Sequence, residues 1–204
     1  MGDMPNAATG PRRRADAERS IARIVSAARR CLSGDPNAST DDIAKAAGVG
    51  RMTLYGHFHT RADLVEAVMV DALRDGDEAL SAVDLTGNAQ DALDRLLDSS
   101  WSVMAESTAL LTAAQGTLPA ERIRQLHAAP AQRVEQLIRR GRDEGSFRTD
   151  MPITWLVNAV QYLLHGAAEE TRAERMRTEE ASRLITATVR SLLAAPPDPD
   201  GTVR

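Results

Sequence analysis

The chain of 204 residues holds one cysteine, two each of tryptophan, tyrosine and phenylalanine, and a single lysine, Lys45, among its 25 basic side chains. One cysteine excludes an internal disulfide. Cys31 reads either as a small core residue on the inner side of the first helix or as a redox-sensitive thiol. With aromatics at 3%, a pocket built to stack flat planar compounds is disfavoured. No apolar run approaches the ~18–20 residues of a membrane span, and the first residues lack a signal-peptide apolar core. The expectation is a cytoplasmic protein with no membrane partner. His57 and His59 stand two apart at a helix end, with no cysteine or carboxylate cluster to complete a metal site. Neither a metal nor another cofactor is expected.

Hydrophobic residues make up 43% of the chain and recur mostly at helical spacing, which predicts an all-α fold of about nine helices. Residues 1–16, rich in Gly, Pro, Ala and Asn, read as a disordered basic arm. Arg12, Arg13 and Arg14 make it either a solvated tail or an arm that enters a minor groove. A three-helix unit is expected over 17–60, a larger helical domain over 61–195, and a disordered tail over 196–204. Helix 1, from about Ala17 to Leu32, should bury Ile21, Ile24, Val25, Ala28 and Leu32. Further on, Thr108–Gln115 reads as a short helix of its own, and Pro130 must kink or split the segment Ala120–Glu144. The formal charge is −4, but unevenly spread. Through residue 70, ten basic side chains face eight acidic ones, giving +2 and leaving −6 beyond. That asymmetry suits a basic unit turned to phosphate, or is ordinary surface variation.

The stretch Thr40–Arg61 reads as two short helices joined by a tight turn. Thr40 is the expected N-cap, followed by Asp41 and Asp42 in the turn where negative charge favours the helix dipole. Ile43, Ala44 and Ala47 form an apolar face, and Gly48 ends the helix in the left-handed region. A second helix, Arg51–Phe58, buries Leu54 and Phe58 and turns Arg51, Met52, Thr53, Tyr55 and His57 outward. A polar, partly aromatic helix on a tight corner is what a DNA major groove accepts, and the pair reads as a helix-turn-helix.

The string D-I-A-x-A-A-G-V, then T-L-Y-x-H-F and Thr-Arg-x-x-Leu, closely resembles the signature of TetR-like transcriptional regulators over roughly residues 19–70. A weaker echo runs from Ile138-Arg139-Arg140-Gly141 through Glu144-Gly145 to Arg148 and Asp150. Gly50 and Gly56 depart from the pattern, where the family usually carries side chains. The resemblance implies a homodimer on a palindromic double-stranded operator, acting as a repressor released by a small-molecule effector. By the match, Thr53 and Tyr55 touch bases or backbone, and His57 and Arg61 touch phosphate. Thr40 would add donors from a helix N-terminus. Arg51, in the first turn, carries the fork that suits guanine O6 and N7; phosphate contact is its alternative, and packing against helix 1 is the alternative for Tyr55.

Two later helices predict the dimer. Ala181, Leu184, Ile185, Thr188, Val189, Leu192 and Leu193 form one apolar stripe, and the preceding helix is apolar on two sides, with Trp155, Ala159 and Tyr162 on one. A four-helix bundle between two chains would cover both, with Trp155, Ala159, Tyr162, Leu184, Ile185, Thr188, Val189 and Leu192 at the contact. Trp101, Met104, Thr108, Leu111, Gln115, His127, Tyr162 and His165 read either as an effector pocket of apolar walls with isolated polar groups or as ordinary core. A ligand-independent or architectural DNA-binding dimer is the alternative function. An enzyme with His127 or His165 as general base is disfavoured, because no nucleophile, base and orienting group stand at workable spacing.

Overall fold

The computed structural model describes residues 9–196, with side chains from residue 14 onward except at 105 and 106. Residues 1–8 and 197–204, the outer parts of the expected arm and tail, lie outside the described residues, as do the side chains of Arg12 and Arg13. Nine α-helices are present among the described residues: α1 Thr9–Gly34, α2 Thr40–Ala47, α3 Arg51–His57, α4 Arg61–Ser81, α5 Ala89–Gln115, α6 Ala120–Leu126, α7 Ala128–Asp143, α8 Ile153–Arg172 and α9 Thr178–Leu193. The fold is all-α, with one isolated antiparallel bridge between Phe147 and Ala194. Packing separates two compact units. The first comprises residues up to Ala72 with Ala109–Pro119, and the second Leu73–Thr108 with residues from Ala120 on.

In the first unit, Ile24, Ala27, Ala28 and Leu32 of α1 are buried with Ile43 and Ala44 of α2, Leu54 of α3 and Leu64, Val65 and Val68 of α4. Each such large aliphatic side chain contributes about 1.5–3 kcal/mol through burial. Helix α1 differs from expectation at its start: it begins at Thr9, so residues 9–16 are helical, not a disordered arm. Pro11 falls in the first turn, where its missing N–H leaves no bond unmade, and Arg12–Arg14, Ala15 and Ala17 are good helix formers. Ile21, expected inside, is 39% exposed.

The N-cap of α2 is Ser39, not Thr40. Ser39 Oγ accepts the Asp42 N–H at 3.1 Å and donates to Asp42 Oδ2 at 2.6 Å, a reciprocal cap that fixes the helix start one residue early. Gly48 has φ +65°, as the tight corner requires. Its N–H donates to Lys45 O and that of Val49 to Ala44 O, at 3.1 and 3.0 Å.

The second unit has one core. Leu93, Leu96, Leu97 and Trp101 of α5 meet Val134, Leu137 and Ile138 of α7, Leu156, Val160 and Leu164 of α8, and Ala181, Ile185, Val189 and Leu193 of α9. The two helices expected around Leu93–Met104 and Thr108–Gln115 are one, α5. No Gly or Pro interrupts the join, and the Thr108 hydroxyl donates to Met104 O at 2.9 Å, so the helix absorbs its polar group. The segment Ala120–Glu144 does split, at His127. Pro130 lies in the first turn of α7, where it is tolerated.

The echo motif after Ile138 closes this unit. Gly145 takes φ +73°, and the N–H groups of Ser146 and Phe147 both donate to Gly141 O, at 2.8 and 3.0 Å. This return lays the Phe147 ring on Gly141, where an added Cβ would sit 2.0 Å from a ring carbon. Glu144 Oε2 accepts the Ala89 N–H at 2.7 Å, capping α5. The Arg148 N–H donates to Leu193 O at 2.8 Å, fastening the end of α9. Gly141→Ala should therefore destabilise the protein by about 1–3 kcal/mol as the ring is driven off its seat. Urea unfolding measures it, and an unchanged midpoint would refute the contact.

Candidate nucleic-acid interface

Helix α3 has two turns, and its faces are sharply divided. Leu54 and the C-capping Phe58 are buried, while Arg51, Met52 and Thr53 are exposed, Met52 by 85%. Tyr55 and His57 are half-buried. The Thr40 and Tyr55 hydroxyls lie 3.0 Å apart in a hydrogen bond that ties α2 to α3. Tyr55 is thus held by α2, through its polar end. Arg51 Nε forms an ion pair with Asp41 Oδ1 at 2.8 Å. From the sequence, Asp41 is expected only to favour the helix dipole of α2. Ten positions separate the two residues, so no local periodicity announces the pair.

Arg61, the expected phosphate contact, is engaged within the chain. Its Nη2 donates to Pro36 O at 2.9 Å and its Nη1 to Ala38 O. The guanidinium closes the loop between α1 and α2 and has both terminal nitrogens engaged there. Gly50 and Gly56 have nothing within 4 Å of a notional Cβ. The departures from the family pattern therefore leave open surface at the N-cap of α3 and at one position inside it.

This two-helix corner carries a family signature. Residues 24–68 match the family described as bacterial regulatory proteins, tetR family. Over that segment the chain resembles members of the tetR family. No curated protein matches the sequence. Solved tetR-type structures share the fold at low identity. A regulatory protein from Rhodococcus RHA1 is 20% identical with a TM-score of 0.70, covering 87% of this chain and 98% of its own. LfrR from Mycobacterium smegmatis, solved with proflavine, is 22% identical with a TM-score of 0.68, covering 85% and 96%. RolR, solved with resorcinol, is 17% identical with a TM-score of 0.65, covering 89% and 90%.

The chain brings only some of the expected pocket residues together. In the first unit Leu111 is buried and Gln115 exposed. In the second, Trp101 is buried and its Nε1–H donates to Thr178 O at 3.2 Å, while Thr108 is turned onto its own helix. Met104 is half-buried. Tyr162 is 78% exposed: it stands on the outer side of α8, so the inward placement assigned to it and to Gln115 does not hold. His127 and His165 do meet, edge to face, with ring centroids 5.8 Å apart. His127 Nδ1 lies 2.9 Å from Ile123 O. His165 Nε2 is buried with no hydrogen-bond partner, an orphan that calls for explanation.

The expected dimer set also divides. Ile185 and Val189 are buried in the chain's own core, and Leu192 is half-buried against it. Trp155 is 61% and Leu184 39% exposed, Thr188 is exposed, and Ala159 is half-buried. The stripe on α9 closes onto α5, α7 and α8 first, so only its outer edge is left for anything else.

Burial, and then repulsion from His127, hold the His165 imidazole below its ordinary value of 6.5, against a hydrogen bond to the Gln161 carbonyl that raises it. The unfolded chain therefore takes up this proton first, and stability falls as pH drops below the unfolded value. From about pH 7.5 to about pH 5.5, His165→Leu should lose less stability than the wild type. Parallel losses in urea unfolding would refute the assignment.

Proposed function

We propose that this chain is a homodimeric transcriptional repressor that reads a palindromic operator through α3 and is released by a small-molecule effector. The observation that carries the reading is the division of α3. Leu54 and Phe58 fasten it, while Arg51, Met52 and Thr53 stand clear at its N-terminal end, the part of a recognition helix that reaches base edges. Arg51 reads guanine, and Thr53 with Met52 contacts neighbouring edges or backbone. Thr40, Tyr55 and His57 line the phosphate side, and Arg61 acts indirectly by holding the loop from which α2 starts.

Dimerisation uses the surface that a single chain leaves apolar. Trp155 and Tyr162 lie seven residues apart on α8, two helical turns on one face, with Ala159 between them and Leu184 and Thr188 on α9. Two-fold pairing of this face would bring two copies of α3 to one DNA. The support for effector control is partly the bound compounds of LfrR and RolR, proflavine and resorcinol. The other support is the unpartnered His165 Nε2 beside His127, a buried polar group that a ligand would satisfy. Release is a population shift: the effector binds better to a conformation in which the two reading helices no longer match successive major grooves.

Arg51→Ala should lose about 1–3 kcal/mol on the selected operator and relax preference at one base pair per reading helix. Selection of bound duplexes and titration at fixed salt measure this; unchanged base preference would refute the assignment of Arg51.

Trp155→Glu combined with Tyr162→Glu should yield a folded monomer, because both side chains are exposed in the single chain. Sedimentation decides it. A monomeric wild type at micromolar concentration, or a variant still dimeric, would overturn the proposed face.

A further inference from the structure

We propose that Asp41 is a specificity-determining residue: its carboxylate holds the Arg51 guanidinium by its Nε edge, so that the Nη1–Nη2 edge is presented to a guanine and withheld from phosphate. The inference rests on the reading of Arg51 as a base-contacting residue and adds to it what makes that contact selective.

Three observations carry it. Asp41 Oδ1 lies 2.8 Å from Arg51 Nε, joining the first turn of α2 to the first residue of α3. Both side chains are more than half exposed, at 52% and 65%, and a pair so open to water contributes little to stability. Among the described residues nothing else engages Arg51, and Gly50 before it offers no side chain to brace it. An arginine on an open helix end would otherwise sample many rotamers and pair with whatever phosphate lies nearest. With Nε tied, the guanidinium keeps one orientation and one free fork, whose two donors match the O6 and N7 acceptors of guanine. The same carboxylate repels phosphate oxygens, which works against non-specific pairing of Arg51 with the backbone. Asp42, one residue on, is engaged elsewhere, with Ser39.

The test uses the full chain, duplexes selected from a random pool, and a shuffled duplex as non-specific probe. Asp41→Asn should reduce discrimination at the base pair read by Arg51 by roughly 3- to 10-fold and leave other positions unchanged. On the shuffled duplex it should bind more tightly and steepen the salt dependence by about one unit of slope, as the released arginine pairs with phosphate. The melting temperature should fall only slightly, by the loss of one charge from the first turn of α2. Asp41→Ser, equally neutral and accepted in a first helical turn, is the second variant. If both keep full discrimination while Arg51→Ala loses it, the positioning role is overturned and the reading of Arg51 stands. If Arg51→Ala itself leaves base preference intact, that reading fails, and the proposal with it. If the Asp41 variants lower the melting temperature and weaken all sequences alike, Asp41 serves the helix dipole only, and the proposal is overturned.

Discussion

Helix α3 has seven residues, too few to persist in water by its own hydrogen bonds. Its existence depends on the burial of Leu54 and Phe58 against a core that includes Ile24, Leu32, Ile43 and Leu64. The helix as a whole inherits its position from those two contacts. The rest of the corner serves the same end. Gly48 makes the turn into α3 possible, Tyr55 bonds back to Thr40, and Arg61 pins the loop that leads into α2. Such a helix holds its outer surface still without contributing to its own stability, which leaves its exposed positions free for recognition.

In the second unit the organising contact is less local. The stripe of α9 from Ala181 to Leu193 is absorbed by the chain's own core, and the end of α9 is fastened by the backbone of Arg148. The turn that brings Arg148 there depends on the missing side chain of Gly141, over which Phe147 lies. Residues far apart in sequence are thus locked by one close approach. The apolar groups this unit leaves exposed include Trp155, Tyr162 and Leu184.

The helix-turn-helix was legible because its determinants are local. Gly48 at the corner, Ile43 and Ala44 on one face, and Leu54 and Phe58 at helical spacing all lie within about five turns of chain. Errors arose where local signals were equivalent or distant partners decided. Ser39 and Thr40 are both good caps, and the reach of Ser39 to Asp42 selects the first. Thr108 looked like the start of a new helix, yet it bonds back into α5. The stripe on α9 announced that Ile185 and Val189 would be covered, but periodicity carries no mark of whether the cover is the same chain or another. Tyr162 shares a helix with inward residues and points out, because apolar character on several faces gave its direction no unique solution. Arg61 fitted a family position for phosphate, while its partners, the carbonyls of Pro36 and Ala38, are backbone groups that no side-chain pattern encodes.

The two tryptophans sit in opposite environments. Trp101 is 4% exposed, with its indole N–H donated to Thr178, whereas Trp155 is 61% exposed on α8. In the single chain their intrinsic fluorescence should therefore separate into a blue-shifted emission shielded from solvent and a red-shifted one open to collisional quenchers such as iodide. The quenchable fraction reports on the outer face of α8, and the shielded fraction on the integrity of the core. Covering that face and loosening that core thus leave distinguishable optical signatures in one unlabelled sample.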